Sequence, residues 1–207
     1  QAGLQRDARQ LLGGDVVVVS DNPAPAVFVQ QAQQQGLQTV ATASFPTMAR
    51  AAQEQGGASR LVALKSVDPG YPLRGVLHLN QGAGQPDLEV RAIPENGHAW
   101  VDAPLLEALG LKLGDRLLLG DASFHISHII AIEPDRGAGF MSFAPRVMIN
   151  SADLPATRLV QPASRITYRL AVAAQADAGR GAQDYLDWAQ ELAKSLHGVR
   201  VESLESG

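Results

Sequence analysis

A β-α-β pattern occurs near each end of the 207-residue chain. Near the N-terminus, the β-branched run Asp15–Ser20 predicts a buried strand, and the alternating segment Leu37–Ser44 predicts a second one. Between them, Asp21-Asn22-Pro23 has the chemistry of a helix start, because an Asx cap is followed by a proline whose φ suits the first turn. The helix should run to about Gln35 and end at Gly36.

The C-terminal third repeats this order. Ile166–Ala173 alternates as a strand, Ala182–Leu196 carries an apolar stripe at helical spacing, and Val199–Leu204 predicts a final strand. If the two ends pair, they form a split β-α-β sandwich of the ferredoxin-like type. Such pairing would also bring the two termini close together.

The region between the two units has a different character, with short strands separated by glycine- and proline-rich turns about every ten residues. The predicted elements are strands at Gly75–Leu79, Trp100–Val101, Arg116–Leu119, Ser123–Ile132 and Arg146–Asn150, with one helix at Ala103–Leu109. We therefore predict an α+β fold. One α/β subdomain comprises residues 14–70 and 163–207, and a small β-rich subdomain, residues 71–162, is inserted into it.

Three further elements complete the prediction. Gly3–Leu12 has helical spacing and ends at two glycines, and Arg60–Val67 predicts a third strand of the N-terminal unit. Phe45-Pro46 should interrupt the second strand, and Thr47–Ala52 would resume it at an edge, where proline is tolerated.

Composition excludes several classes of protein. The chain has 17 basic and 21 acidic residues, without the clustered basic face expected of a nucleic-acid binder. It contains no cysteine, which removes disulfides, thiolate zinc sites and a cysteine nucleophile. No apolar run approaches the roughly 18 residues that would span a bilayer. The chain begins at Gln1 rather than Met, so we expect it to be a piece of a longer protein.

The sequence predicts no metal, cofactor or catalytic site. His125 and His128 form an H-x-x-H within a predicted strand, where residues three apart face opposite sides, so joint metal ligation is unfavourable. Ser127-His128 with Asp121 or Asp135 supplies the residue types of a catalytic triad, but no G-x-S-x-G nucleophile turn is present. No glycine fingerprint for nucleotide phosphates follows the first strand.

A concentration of large apolar side chains stands out at Phe140-Met141-Ser142-Phe143, beside a glycine loop. One interpretation is a loop that plugs the β-rich subdomain. The other is an adaptable hydrophobic contact for a partner or a lipid-like ligand, to which methionine is well suited. In the second interpretation Phe140, Met141 and Phe143 make the contact, and Arg146 adds a polar rim.

Three stretches in this region, Met141–Asn150, Asp153–Thr157 and Ser164–Leu170, resemble the large FtsX-type ABC transporter permeases, most closely their YbbP-like branch. The segment Gln5–Asp15 is similar to the juncture of that family where a stalk leaves the first membrane helix. The resemblance implies a MacB-like periplasmic core domain. In it, residues 1–13 would be the stalk helix, the α/β subdomain the "porter", and the β-rich insert the "sabre".

The resemblance also implies a function. Such a domain would lie in the periplasm as part of a bacterial inner-membrane protein, whose permease pairs with a cytoplasmic ABC ATPase. It would transmit ATP-driven movement across the membrane, acting on a lipid-like or hydrophobic substrate. The alternative is a docking platform for a periplasmic lysophospholipase-type hydrolase or a lipid or lipoprotein carrier. No catalytic residue or Walker motif carries over, so we expect neither enzymatic activity nor a bound cofactor.

Overall fold

The computed structural model describes residues 8–137, 140–175 and 181–204. Within them, eleven strands form one sheet. The strands are β1 Val16–Ser20, β2 Gln38–Arg50, β3 Ser59–Val67, β4 Leu77–Asn80, β5 Leu88–Val90, β6 His98–Asp102, β7 Arg116–Leu119, β8 Ala122–Ile132, β9 Arg146–Asn150, β10 Thr167–Ala173 and β11 Val199–Ser203.

Four α-helices accompany the sheet. They are α1 Ala26–Gln34, α2 Ala103–Leu109, α3 Leu154–Thr157 and α4 Gln183–Ala193. Residues 8–12 are also helical, and short 3₁₀ turns lie at Gln53–Gln55, Phe140–Phe143 and Ser151–Asp153. No helix in the described ranges is both long and apolar enough to cross a membrane.

The two ends of the chain meet in the first four strands of the sheet, which run β11-β1-β10-β2 and are antiparallel throughout. Helix α1 connects β1 to β2, and α4 connects β10 to β11. Both helices pack on the same face of these strands, around Phe28 and Tyr185. The Tyr185 hydroxyl donates a hydrogen bond to the Phe28 carbonyl oxygen at 2.9 Å, which joins the two helices.

The rest of the sheet closes into a ring. Strands β2, β3, β9, β6 and β8 are neighbours in that order, and β7 pairs with both β8 and β2. The ring interior holds one apolar cluster, to which every ring strand contributes, including Leu64, Val101, Leu117, Ile126 and Val147. Helix α2 adds three leucines to this cluster. The ring is therefore a small barrel that includes β2 and β3 as well as strands from the 71–162 region.

A third apolar cluster lies on the opposite face of the sheet from the helices. It contains Val67, Tyr71, Trp100 and Met148, with two leucines of β4. This face is otherwise free of described helices except for the N-terminal helical residues 8–12, whose Leu12 carbonyl accepts a hydrogen bond from Arg169 at 3.4 Å. Because neither α1 nor α4 packs on this face, we call it the helix-free face, and Lys65 of β3, opposite Met148, lies on it.

The structure corrects the sequence prediction at two places near the N-terminus. Helix α1 begins at Ala26, and its first turn has no side-chain cap, because Pro25 occupies the capping position. Strand β2 runs through Pro46 without interruption. One edge of β2 pairs with β3 along this stretch. On the other edge, the pairing with β10 ends at Ser44 of β2, and the pairing with β7 begins only at Ala49 of β2. Pro46 therefore occupies a local edge inside a long central strand, where the missing N–H is tolerated.

Candidate functional site

The predicted contact segment forms the 3₁₀ turn Phe140–Phe143 just before β9. The Phe143 side chain is 87% exposed, the largest exposure among the large apolar residues of the described ranges. The side chains of Phe140 and Met141 lie outside the described part of the molecule. Phe143 therefore does not plug a core, and its role as a contact for a partner or ligand stays a prediction.

Arg146 does not stand at the rim of that segment. It is the first residue of β9 and its side chain is buried, on the helix-free face of the sheet. Its Nε donates to Glu133 Oε1 at 2.9 Å, and one of its terminal nitrogens donates to the Ala63 carbonyl at 3.2 Å. The guanidinium is therefore turned inward, because a buried carboxylate holds it there.

Arg146 belongs to a buried ionic cluster that also contains Lys65, Tyr71, Glu133 and Asp135. The Lys65 ammonium donates to Glu133 Oε2 at 2.7 Å, to Asp135 Oδ2 at 3.0 Å and to the Tyr71 hydroxyl at 3.0 Å. The Tyr71 hydroxyl in turn donates to Asp135 Oδ1 at 2.6 Å. Each charged group has an opposite charge within hydrogen-bond distance, as buried charges require.

The cluster fixes the protonation of its acidic centre. Burial alone would raise the pKa of Glu133, but the charges of Lys65 and Arg146 and their hydrogen bonds lower this pKa to about 2. Burial raises the pKa of Tyr71, and the neighbouring Asp135 and Glu133 charges raise it further. At neutral pH the cluster therefore holds an ionised Glu133 and a neutral Tyr71 that acts as a hydrogen-bond donor.

Pairing across the sheet explains why these residues meet. Lys65 lies opposite Met148 in the parallel β3–β9 pair, and Arg146 lies opposite Ala63 in the same pair. Glu133 and Asp135 follow the end of β8. The sequence contained one signal for this cluster, a lysine within the apolar run Leu61–Val67, which a buried strand accepts only with a partner. The identity of that partner depends on long-range pairing.

The histidines of β8 lie on one face of the sheet, which contradicts the prediction that His125 and His128 face opposite sides. The β6–β8 register pairs His98 with His125 and Trp100 with His128, and it shifts at Ser127. This bulge adds one residue to β8 between the two histidines, so both rings lie on the same side of the sheet. His128 stands edge-on to the Trp100 ring, with centroids 5.5 Å apart, and the His98 and His125 rings are 4.9 Å apart.

Desolvation lowers the pKa of His128, and the nearby His98 lowers it further. Within residues 8–137, 140–175 and 181–204, no group of three or more His, Cys, Asp or Glu side chains could hold a metal ion.

The two aspartates considered for a catalytic triad interact with other side chains. Asp135 accepts hydrogen bonds from Lys65 and Tyr71, and Asp121 lies 3.9 Å from Arg158. The structure does not bring Asp121, Asp135 and His128 together as an acid–base site.

A cleft of about 690 Å³ opens above the ionic cluster on the helix-free face. Its floor includes Lys65 and Arg146, and Leu11 and Leu12 of the N-terminal helical residues form part of its wall. The other lining residues come from β2, β10, β11 and the loop after β8. Its lining mixes apolar and charged side chains.

The amino-acid sequence is 34% identical over 169 residues to the uncharacterized ABC transporter permease YbbP of Escherichia coli (strain K12). The match covers 82% of this chain and 20% of that protein, so the chain spans about a fifth of the length of the curated relative. No protein-family model matches the sequence. The relative confirms the resemblance to these permeases inferred from Met141–Asn150, Asp153–Thr157, Ser164–Leu170 and Gln5–Asp15.

Two solved structures share the fold. The periplasmic region of MacB from Actinobacillus actinomycetemcomitans has a TM-score of 0.55 at 14% identity, covering 96% of this chain and 92% of that one. The extracellular domain of the noncanonic ABC-type transporter YknZ, from Gram-positive bacteria, also has a TM-score of 0.55, at 12% identity, covering 91% of this chain and 100% of that one. The predicted mixed α+β class, similar to MacB-type periplasmic domains, is confirmed.

Proposed function

This chain is homologous to a segment of an ABC transporter permease and has the fold of MacB-type periplasmic domains, and we propose that it transmits ATP-driven movement of such a permease outside the membrane. In this role the domain is not an enzyme, and it needs no cofactor. The observation that carries the proposal is that the described chain enters and leaves the sheet at neighbouring positions, since Val16 at the start of β1 pairs with Ser203 at the end of β11.

Because these two residues are neighbours, the segments leading into β1 and out of β11 act on the same corner of the sheet. Membrane helices joined there would move the domain as a rigid body rather than pull it apart. The corner is reinforced by Asp15, which stands just before β1. Its carboxylate accepts two hydrogen bonds from Arg74, at 3.0 and 2.8 Å, and one from the Ala174 backbone N–H at 2.9 Å.

We further propose the subdomain division expected from the sequence, with a stalk at residues 1–13, a porter at 14–70 and 163–207, and a sabre at 71–162. The strand order β11-β1-β10-β2 with α1 and α4 on one face supports a ferredoxin-like porter. In this proposal the sabre is not independent of the porter, since β9 of the insert pairs with β3, and β7 of the insert pairs with β2 and closes the barrel described above.

The proposed setting is the periplasmic side of a bacterial inner membrane, with a cytoplasmic ABC ATPase as the partner of the full permease. The proposed substrate is lipid-like or hydrophobic, and the exposed Phe143 supports a surface that contacts apolar groups. We propose no nucleic-acid partner, because the formal net charge of the chain is −4.

Distance measurements in the full-length permease test the transmission of movement. The absence of native cysteine in this chain allows a spin label at Gln33→Cys, on the exposed side of α1, and a second label in another extracytoplasmic domain of the assembled transporter. We expect the distance between the two domains to change between the nucleotide-free and the ATP-bound state. An identical distance distribution in both states would contradict the proposal.

The matched control places both labels within this domain, at Gln33→Cys and Glu107→Cys, which are exposed positions on α1 and α2. A rigid body predicts no change in this distance when ATP binds. A change here would mean that the domain deforms rather than moves as a unit, and it would overturn the rigid-body part of the proposal.

Phe143 favours a second candidate function, a docking platform for a periplasmic lysophospholipase-type hydrolase or a lipid carrier. We expect Phe143→Asp in the full-length permease to reduce the esterase activity that co-purifies with it by about tenfold or more. The reason is that an aromatic anchor at the centre of an interface contributes about 2 kcal/mol or more to the binding free energy. The control is Leu113→Asp, an exposed apolar residue in the turn before β7, which should leave the co-purified activity unchanged. Equal retention by both variants would exclude Phe143 as the docking residue.

A further inference from the structure

The cleft on the helix-free face concentrates basic side chains in a chain whose formal net charge is −4. Six basic and two acidic residues line it. The basic residues are Lys65, Arg136, Arg146, Arg165, Arg169 and Arg200, and the acidic ones are Asp135 and Glu202. Such an excess within one concave surface creates a positive potential that attracts anions.

Internal partners neutralise only part of this charge. Lys65 and Arg146 are held by Glu133 and Asp135, as described above. Arg136 donates to Asp102 Oδ2 at 2.9 Å. These pairs form the floor of the cleft, and their side chains already have carboxylate partners.

The outer wall, formed by Arg165, Arg169 and Arg200, is different, because these arginines outnumber the carboxylates that pair with them. Arg169 and Arg200 share one carboxylate, that of Glu202, with both N···O distances at 3.3 Å. Arg165 is exposed, and no ion pair to it is found within the described ranges. The wall therefore presents guanidinium groups able to bind a carboxylate or a phosphate in the two-bonded geometry that arginine favours.

Apolar side chains stand beside these arginines. Leu11 is 69% exposed, and Leu12 and the exposed Pro46 also line the cleft, whereas the Phe45 side chain packs into the barrel interior. The volume, about 690 Å³, falls within the few-hundred to thousand Å³ range of small-molecule sites. A ligand filling the cleft would therefore meet both positive charge and apolar side chains.

We propose that this cleft binds a single-chain amphiphile with an anionic headgroup, its carboxylate or phosphate held by Arg165 and Arg200 and its hydrocarbon chain against Leu11 and Pro46. This inference goes beyond the proposed function. It concerns a different surface from Phe143, and it can be tested on the chain alone. Binding here and the transmission of movement can therefore fail separately.

Isothermal titration calorimetry on the 207-residue chain tests the proposal with four probes below their critical micelle concentrations. Decanoate and decyl phosphate should bind with one-to-one stoichiometry, while the cationic decyltrimethylammonium and the neutral decyl maltoside should bind at least about tenfold more weakly. Equal binding of all four probes would show a nonspecific apolar surface and overturn the proposal.

Two shorter probes separate the headgroup from the chain. Inorganic phosphate and butyrate supply the anion without a long hydrocarbon, and both should bind at least about tenfold more weakly than the decyl compounds, since each buried CH₂ group adds to affinity. Inorganic phosphate binding as tightly as decyl phosphate would identify a free-anion site instead. That result would overturn the amphiphile as ligand.

Substitutions place the ligand in the cleft. Arg165→Gln and Arg200→Gln should each weaken decanoate binding by about tenfold, and Leu11→Asn should weaken decanoate without affecting the residual binding of inorganic phosphate. The matched control is Arg60→Gln, an exposed arginine on β3 outside the cleft lining. Unchanged affinity in both cleft variants, or an equal loss in Arg60→Gln, would overturn the site. Unaltered unfolding midpoints of the variants confirm that each remains folded.

Discussion

Replacing Glu133 by Gln is expected to destabilise the protein by about 3–5 kcal/mol, the range found when one partner of a buried ion pair is removed. Glu133 is fully buried and is the common partner of Lys65 and Arg146. The amide keeps the shape but removes the negative charge, so Lys65 would keep the carboxylate of Asp135 while Arg146 would lose the carboxylate that its side chain contacts. Urea denaturation followed by circular dichroism measures the difference in the free energy of unfolding.

The control is Glu191→Gln, which removes a carboxylate from an exposed pair with Lys194, whose N···O distance is 3.1 Å. Exposed pairs of this kind contribute little, and we expect a change within about 0.5 kcal/mol. If both substitutions had equally small effects, the buried cluster would not stabilise the fold in the way its geometry indicates.

The same carboxyl group predicts how stability depends on pH. The pKa of Glu133 is lowered to about 2 from an ordinary value of 4.5, so the unfolded state binds more protons than the folded state between these values. The contribution of Glu133 is fully present above about pH 5 and is lost as the pH falls through about 2. The Glu133→Gln variant should lack this part of the acid destabilisation, and an identical pH profile in both proteins would contradict the assignment.

Replacing Gly120 by Ala is the second change from which we expect a large effect, about 2–5 kcal/mol of destabilisation. Gly120 begins the two-residue turn between β7 and β8, where Leu119 pairs with Ala122. Its φ is +55°, and a Cβ there would overlap the Thr157 carbonyl oxygen and approach Leu159. That carbonyl also accepts a hydrogen bond from the Asp121 backbone N–H at 2.9 Å, so it cannot move away without loss.

Gly110 provides the matched comparison, because its φ is +67° and a Cβ there would meet nothing within 4 Å. Gly110→Ala therefore carries the conformational cost alone, about 1 kcal/mol. Thermal or urea unfolding of the two variants separates the steric effect from the backbone effect. Equal destabilisation would show that the turn, rather than the contact with Thr157, determines the cost at Gly120.

Local patterns predicted most of the elements of this fold. Helix α2 begins and ends where the sequence places it, because its leucines are spaced for one face and Gly110 adopts the left-handed conformation that ends it. The strand Val16–Ser20 is buried throughout, as its run of valines indicates. The short strand β5 was missed, since Leu88–Val90 is brief and mostly exposed and has no alternation to mark it.

What local patterns could not provide was the outcome of long-range pairing. The closure of the barrel depends on β7 reaching β2, about seventy residues away in sequence, and nothing in Arg116–Leu119 records that neighbour. The bulge at Ser127 reversed the expected positions of His125 and His128 for the same reason, because it is visible only against β6. The inward orientation of Arg146 depends on Glu133, which the sequence alone did not connect to it.

Strand β2 has a mechanical consequence. Its 13 residues extend for roughly 40 Å at about 3.3 Å per residue, from its pairing with β10 at one end to its pairing with β7 in the barrel at the other. A bend anywhere along it would break hydrogen bonds to β10 or β3 or open the closed ring. In the proposed transmission of movement, β2 would therefore act as a stiff lever arm, so that a small tilt applied where β1 and β11 meet would be carried to the far end of the barrel as a larger sweep.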